Sequence, residues 1–275
     1  MKYVVLGGTG SFGSEIVKYL LSLDNTKTVR VYSRDEYKQY LMKLDIDDNR
    51  LRLLIGDIRD KNRLKMACEN VDVVYNCAAM KHVSMCETHP FEAVKTNIFG
   101  TQNVIEVCLE NNIKQMIMVS TDKAVDPLNT MGATKLLAEK LVLNANLYKG
   151  DKLCVFSVLR CPNLWASRGS CVETWKDQIS RKKPITITDW SAKRFVIEIS
   201  DLINLLPMIT NQGIYIPKAK ELTIREMVDK TMGGRCVGDS ESVVIGLSKG
   251  ERQVERLFST GEAVVDCDSY WFVPM

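Results

Sequence analysis

The chain has 275 residues, 45% of them hydrophobic, and carries 37 lysines and arginines against 34 aspartates and glutamates, a formal charge of +3. That length suits one large α/β domain with a smaller lobe, and the near balance of charge, without a basic run or basic-aromatic stripe, argues against nucleic acid as a partner. No stretch approaches the roughly 18 apolar residues of a membrane span. The chain begins directly on an apolar strand with no room for a signal peptide, so a cytoplasmic protein without a membrane partner is expected. The nine cysteines (Cys68, Cys77, Cys86, Cys108, Cys154, Cys161, Cys171, Cys236 and Cys267) form no Cys-x-x-Cys and read as reduced small hydrophobes. With His82 and His89 the only histidines, no metal site or Ser-His-Asp triad is expected.

Tyr3 to Leu6 is a buried strand running into Gly-Gly-Thr-Gly-Ser-Phe-Gly, with Gly7, Gly10 and Gly13 three residues apart. A helix follows that turns Ile16, Val17, Leu20 and Leu21 inward. A glycine loop between a first strand and a helix lets the backbone approach a pyrophosphate and seats its charge on the helix N-terminal amides. A second strand, Thr28 to Tyr32, ends in Ser33-Arg34, about 20 residues further on, where NAD enzymes place an acidic residue on the ribose. Arg34 and Lys38 there suit the 2′-phosphate of NADP. The third strand, Leu51 to Ile55, leads to Gly56-Asp57-Ile58, with Asp57 placed to accept from an adenine amino group. The fourth, Val71 to Tyr75, ends in small residues, Asn76-Cys77-Ala78-Ala79, that let the chain pass close to a cofactor. Lys81 follows on the same loop, aimed at ligand phosphate or the reaction centre.

A long helix is expected from Pro90 through Leu109, then a fifth strand, Met116 to Val119, opening into Ser120-Thr121-Asp122-Lys123. Open α/β sheets bind ligands at that edge. There a hydroxyl, a carboxyl and an amine stand in succession. Asn129 is a plausible N-cap for a helix from Thr130 to Tyr148 that buries Leu136, Leu137, Leu141 and Val142 and carries Met131 and Lys135 one turn apart. A sixth strand spans Lys152 to Leu159. Strand and helix alternate throughout this half, which predicts a doubly wound parallel Rossmann sheet over 1–163. After Arg160 come a polar loop with Asn163, Arg168 and Ser170, an amphipathic stretch with Trp175 and Ile179, short strands at Ile185 to Ile187 and Phe195 to Ile199, a helix from Leu202 capped by Ser200, a strand at Gly213 to Ile216, and a capping box at Thr223 to Glu226. A substrate lobe over 164–275 is expected, interleaved with a sheet rejoined by about 195–217.

With these motifs the chain resembles the extended short-chain dehydrogenase/reductases, and within them the NADP-dependent UDP-N-acetylglucosamine 4,6-dehydratases. The carriers are G-G-T-G-S-F-G, Y-S-R-D-E, G-D-I-R-D, A-A-M-K-H-V, K-T-N-I-F-G-T-Q-N-V, S-T-D-K-A-V-D-P-L-N-T-M-G-A-T-K, S-R-G-S and P-I-T-I-T-D with K-R-F after it, spanning Met1 to about Leu206, and more faintly G-L-S-K-G-E-R. Asp122-Lys123 stands where dehydratases of UDP- or dTDP-glucose show Asp-Glu, and Met131 replaces the tyrosine of Tyr-x-x-x-Lys, as in part of this family. The family's Tyr-Gly-Asn is here Cys161-Pro162-Asn163, and the C-terminus is shorter than in most members.

The resemblance implies NADP bound by Gly7, Thr9, Gly10, Ser11, Phe12, Gly13, Ser33, Arg34, Lys38, Asp57, Ile58, Cys77, Ala78, Lys81, Val119, Ser120 and Lys135, a UDP-sugar partner held by Lys81, Asn163, Arg168 and Arg194, and a homo-oligomer. It implies an internal cycle in which hydride leaves sugar C4, water is lost across C5 and C6, and hydride returns to C6. Lys123 is the expected C5 base and Asp122 the acid. A closed pocket is expected to disfavour charge on both, against free values of about 10.4 and 3.9. Met131 has no acidic hydrogen, so Thr121, Asp122 or an ordered water must take the C4 hydroxyl proton, while Lys135 holds the nicotinamide ribose. Inversion at C5 is expected over retention, because soluble members of the family tend to invert; a retaining 4,6-dehydratase, a UDP-sugar 4-epimerase and a non-catalytic NADP-binding module are the alternatives.

Overall fold

Alternating apolar runs and amphipathic segments pair as parallel strands, because each strand must cross a helix before the next. The structure, a computed structural model, describes residues 1–234 and 241–275; Cys236 lies outside them. The strands are β1 Lys2–Leu6, β2 Thr28–Ser33, β3 Leu51–Ile55, β4 Val73–Asn76, β5 Gln115–Thr121, β6 Val155–Cys161, β7 Asn163–Leu164, β8 Ile185–Ile187, β9 Lys193–Ile197, β10 Gly213–Pro217, β11 Lys220–Thr223, β12 Ser242–Val244, β13 Val265–Cys267 and β14 Tyr270–Pro274. The helices are α1 Ser11–Ser22, α2 Glu36–Asp45, α3 Lys61–Ala67, α4 Val83–Thr88, α5 Pro90–Ala93, α6 Gly100–Glu110, α7 Thr130–Tyr148, α8 Cys171–Ser180, α9 Ile199–Leu205 and α10 Ile224–Thr231.

The main sheet has the order β13-β14-β10-β6-β5-β4-β1-β2-β3. From β10 to β3 every pairing is parallel, whereas β14 runs antiparallel to both β10 and β13. Strand order reverses between β1 and β4, whose last partners are Leu6 and Asn76. The crevice at such a reversal is where open α/β sheets take ligands. One face of the sheet is covered by Leu64, Val104, Ile105, Ala138 and Val142 from α3, α6 and α7, the other by Ile16, Val17, Leu20, Leu202 and Leu205 from α1 and α9. A separate core of Val172, Trp175, Ile185, Ile187, Ile224 and Met227 holds the smaller lobe. That lobe is built on the sheets β11-β9-β7 and β12-β8.

Several expectations change. The main sheet is rejoined by β10 and also by β13 and β14, so 265–274 leaves the lobe, while β9 belongs to the lobe's sheet. The long helix after Pro90 is interrupted by a π-helical turn at Val94–Phe99. That turn aims the Asn97 side chain at the backbone of Met80, from whose N–H it accepts at 2.8 Å, and at the Thr134 hydroxyl, to which it donates at 3.0 Å. Ser200 does not cap α9; Glu198 occupies the N-cap and Ser200 lies in the first turn. On α7 the buried stripe is Met131, Thr134, Lys135, Ala138, Glu139, Val142 and Ala145. Leu137 is exposed, and Leu136 and Leu141 are only partly covered. Two charged residues displace leucines from the inner stripe because each has a buried partner.

For Glu139 that partner is Arg160 on β6, itself fully buried. Arg160 donates to both Glu139 carboxylate oxygens at 3.1 and 2.7 Å, to both of Glu262 at 2.8 and 2.7 Å, and to the Leu257 carbonyl at 3.1 Å. A buried guanidinium in two bidentate pairs stitches the C-terminal segment to the sheet. Arg160→Met leaves the Glu139 carboxylate buried without its counter-ion and is expected to lower stability by about 3–5 kcal/mol in urea unfolding. Adding Glu139→Gln should return part of that loss.

Candidate active site

A cleft of about 1640 Å³ opens at the carboxyl ends of β1, β4, β5 and β6. Every residue expected to bind cofactor or substrate, from Gly7 to Arg194, lines it. Gly7 has φ of +73°, and a Cβ there would stand 2.8 Å from the Ala78 backbone nitrogen, so glycine alone allows the loops after β1 and β4 to close on each other. At one end lie Arg34, 61% exposed at its side chain and 4.0 Å from the Asp57 carboxylate, and Lys38, paired with Asp35 at 2.9 Å. The Asp57 carboxylate is already engaged by Arg59, at 2.9 Å from its Nε and 2.7 Å from Nη2. Ile58 is buried in the core beneath this end, and the Ser33 hydroxyl accepts from Gln39 at 2.9 Å.

The middle of the cleft is strapped. Arg168, expected at the substrate, instead reaches the glycine loop: its backbone N–H donates to the Ser11 hydroxyl at 3.1 Å and its guanidinium to the Thr9 carbonyl. Lys81 donates to the Arg168 carbonyl at 2.5 Å, and burial, with Arg168 adding to it, pulls its pKa down. Arg168 therefore lies against the loop suited to a pyrophosphate, and Lys81 is bonded to Arg168.

At the far end, β5 delivers Thr121, Asp122 and Lys123 into a single turn of 3₁₀ helix. Gly132, in the first turn of α7, makes room for it, since a Cβ there would collide with the Lys123 carbonyl oxygen. The Thr121 hydroxyl donates to Asp122 Oδ1 at 2.9 Å. Lys123 Nζ donates to Asp122 Oδ1 at 3.1 Å and to Asn163 Oδ1 at 3.0 Å, and stands 2.7 Å from Glu255 Oε1. The Asn163 amide donates to Asp122 Oδ2 at 3.2 Å, to the Phe195 carbonyl at 3.1 Å and to Glu255 Oε2 at 2.6 Å. Arg194 approaches Glu255 at 3.6 Å and pairs with Glu251 at 2.6 Å.

Glu255 was not legible as a site residue. It follows G-L-S-K-G-E-R by three positions, and only the tertiary path of that segment, pinned to β9 where the Lys193 N–H donates to the Gln253 carbonyl at 2.7 Å, brings it under Lys123. Its presence bears on two expectations. Asn163 and Arg194, expected at a diphosphate, have partners within the protein: one bridges the carboxylates at the turn and the other is held by Glu251 and Glu255. Lys123 is not driven toward the free amine. Burial opposes its charge, but the carboxylates of Asp122 and Glu255 outweigh burial and raise its pKa above the ordinary value. Asp122 follows expectation, pushed by burial, with Glu255 adding to it against the pull of Lys123, up to about 7. Glu255 goes the other way: burial would raise it, but Lys123, the hydrogen bond to Asp122 and Arg194 bring it down to about 2.

Lys135 donates from Nζ to the Val119 carbonyl at 2.6 Å, and burial lowers its pKa to about 8. Met131 is buried with Cys86 and Ala93, against Met80 and Val83. Two further hydroxyls facing the cleft, Ser120 Oγ and Thr96 Oγ1, are buried without a partner. The glycine cradle and the unpartnered hydroxyls fit a dinucleotide.

The parallel sheet, the glycine loop at its reversal and the lysine one turn into α7 define an extended short-chain dehydrogenase/reductase. The chain belongs to the polysaccharide biosynthesis protein family, whose sequence profile matches residues 3–271. It is 39% identical over 265 residues to a UDP-N-acetylglucosamine 4,6-dehydratase (inverting) of Campylobacter jejuni, covering 94% of this chain and 78% of that one. It is 36% identical over 282 residues to a UDP-glucose 4-epimerase of Rickettsia bellii, covering 99% and 82%. Among solved structures it superposes on Pen from Bacillus thuringiensis with a TM-score of 0.92 at 35% identity, over 99% of this chain and 88% of that one. No helix among the described residues is long and apolar enough to cross a membrane.

The neutral Asp122 carboxyl has a signature in stability. Its pKa in the fold, about 7, lies above the ordinary 3.8, so the native state binds its proton more tightly than the unfolded chain does. The contribution is therefore fully present below about pH 4 and is lost as pH rises through about 7. Asp122→Asn cannot titrate. The stability of the natural protein relative to this variant, from urea unfolding at a series of pH values, should fall across that window and level off above it; a flat profile there would mean the carboxyl is ionised in the fold throughout.

Proposed function

We propose that the chain is an NADP-dependent UDP-N-acetylglucosamine 4,6-dehydratase that inverts C5, a hydro-lyase whose product is a UDP-2-acetamido-2,6-dideoxy-4-hexulose. The observation that carries this reading is the pairing of a carboxyl held near neutrality, Asp122, with the Lys123 amine on one turn beside the end of the cleft suited to nicotinamide. The Campylobacter relative supports the same substrate and outcome. A bound nicotinamide supplies reversible hydride exchange, first with sugar C4 and then with C6.

The chain's own residues do the rest. Gly7, Thr9, Gly10, Ser11, Phe12 and Gly13 receive the pyrophosphate, with Lys81 and Arg168 above it. Ser33, Arg34 and Lys38 take the ribose 2′-phosphate, which favours NADP over NAD, and Asp57 and Ile58 border the adenine. Cys77, Ala78, Val119 and Ser120 wall the nicotinamide riboside, and Lys135 holds its hydroxyls. In its ionised form Asp122 takes the C4 hydroxyl proton through the Thr121 hydroxyl, bonded to its Oδ1 at 2.9 Å, and then, as the neutral acid, gives that proton to the departing C6 hydroxyl. Lys123 takes the C5 proton once a 4-ketone acidifies it. Met131, with no proton to exchange, walls the sugar. A cytoplasmic homo-oligomer belongs to this reading, supported by the exposed apolar side chains of Leu137, Leu147 and Tyr148 on α7.

The Rickettsia relative supports a second reading, a UDP-sugar 4-epimerase. It fits less well, because an epimerase has no use for an acid at C6. Mass spectrometry separates them: UDP-N-acetylglucosamine incubated with the protein, without added NADP, should lose one water, while an epimerase leaves the mass unchanged. In deuterated water the product should carry deuterium at C5, and its proton couplings should show the inverted centre. Asp122→Asn and Lys123→Ala should each lower kcat by about 10²–10⁴ while leaving cofactor retention unchanged.

A further inference from the structure

We propose that Glu255 is the group that accepts a proton from Lys123 and so frees its amine for sugar C5; the inference rests on the dehydratase reading. An ammonium has three hydrogens and no lone pair. Lys123 faces three acceptors, Asp122 Oδ1 at 3.1 Å, Asn163 Oδ1 at 3.0 Å and Glu255 Oε1 at 2.7 Å. With every hydrogen placed and two carboxyls beside it, the lysine rests as ammonium, which is no base. One proton must leave before the C5 proton can arrive.

Only one of the three acceptors can receive it. The Asn163 carbonyl is not basic at any working pH. Asp122 already carries the proton taken from the C4 hydroxyl and must keep it for the C6 hydroxyl. Glu255 remains, at the shortest of the three distances, 6% exposed and lining the same cleft. The step balances: the Lys123 Nζ–H bond breaks and a Glu255 Oε1–H bond forms, turning ammonium and carboxylate into amine and carboxylic acid. The amine then takes the C5 proton with its lone pair, the C5 electrons expel the C6 hydroxyl, and that hydroxyl leaves as water with the Asp122 proton. Lys123 then passes its acquired proton to water, Glu255 returns the parked one to the amine, and C5 takes a proton from water as hydride reaches C6, so the cluster resets with every proton accounted for.

The charged groups facing Glu255 decide when this happens. They are Asp122 and Lys123 from the turn after β5 and Arg194 from β9, with Glu251 holding Arg194 from its other side at 2.6 Å. Cys171, at the start of α8, is the further titratable group near Lys123 and Arg194. With both cations in place Glu255 keeps its charge and Lys123 its proton, and the transfer is uphill. Protonation of Asp122 removes the first carboxylate that supports the ammonium, and an anionic diphosphate that competes for Arg194 removes one cation from Glu255, so both bring the two proton affinities toward each other.

The test follows single turnovers of the holoenzyme with UDP-N-acetylglucosamine, reading reduced-nicotinamide absorbance for oxidation at C4 and mass spectrometry for loss of water. In Glu255→Gln, oxidation at C4 should slow far less than water loss, because Glu255 touches that step only through the proton affinity of Asp122. Water loss should slow by on the order of 100-fold near neutral pH and recover about tenfold per pH unit, as hydroxide does what Glu255 did. Glu255→Asp, a shorter carboxylate, should lose on the order of tenfold and keep the natural pH profile. Three results overturn the proposal: both steps slowing together in both variants, which makes Glu255 structural; water loss in Glu255→Gln that is unchanged or faster, which means the carboxylate only restrained Lys123; and a Glu255→Gln rate that falls with rising pH, which means Glu255 serves Asp122. Absence of water loss in the natural protein sinks the dehydratase reading itself, before any variant is compared.

Discussion

Two carboxyl groups and one ammonium, buried together at the end of β5, are the constraint on which the rest of the site depends. Taking three ionisable groups out of water costs several kcal/mol apiece unless each has a partner, and this cluster answers by arranging unlike groups at hydrogen-bond distance. Asp122, Lys123 and Glu255 cannot all hold their ordinary charges there. The carboxyl deepest in the turn moves toward neutrality, the one facing two cations stays charged, and the lysine between them holds its proton. The same crowding that makes the cluster expensive separates the proton affinities of two carboxyls, which is what acid and base roles require.

A cluster of this kind must be assembled from distant parts of the chain. Asp122 and Lys123 come from the strand edge, Asn163 from the first residue after Pro162, and Glu255 from a segment near the C-terminus. Two buried arginines place that last piece: Arg160 ties Glu262 and the Leu257 carbonyl to α7 and β6, and Arg194 ties Glu251 to β9. Stability and function are coupled through them, since the ion pairs that close the C-terminal segment onto the sheet also set where Glu255 stands. Met131 fits the same picture. In the position of an acidic tyrosine it adds apolar wall and no proton, so in the proposed reaction the proton traffic falls to Thr121, Asp122 and Lys123.

Where sequence reading succeeded, the interaction was local. The glycine loop, the helix from Thr130 to Tyr148 with Asn129 at its cap, and the capping box at Thr223 and Glu226 all depend on residues within a few positions of one another. Where it failed, hydrophobicity was asked to decide a face that charge had claimed. Leucines on α7 were assigned inward, yet Lys135 and Glu139 hold the inner stripe because the Val119 carbonyl and Arg160 meet them there. Asn163, Arg168 and Arg194 line the cleft, and the partners that the structure gives them lie far off in sequence.

The amino-acid sequence by itself determined the parallel sheet, the dinucleotide loop and the hydroxyl, carboxyl and amine at 121–123, because periodicity, glycine spacing and strand-to-turn grammar act over short range. Only the tertiary structure decided the protonation of that trio, the strap of Arg168 across the glycine loop and the entry of Glu255. Proton affinity depends on what stands within a few ångströms in space, and here the deciding neighbour arrives from more than a hundred residues away.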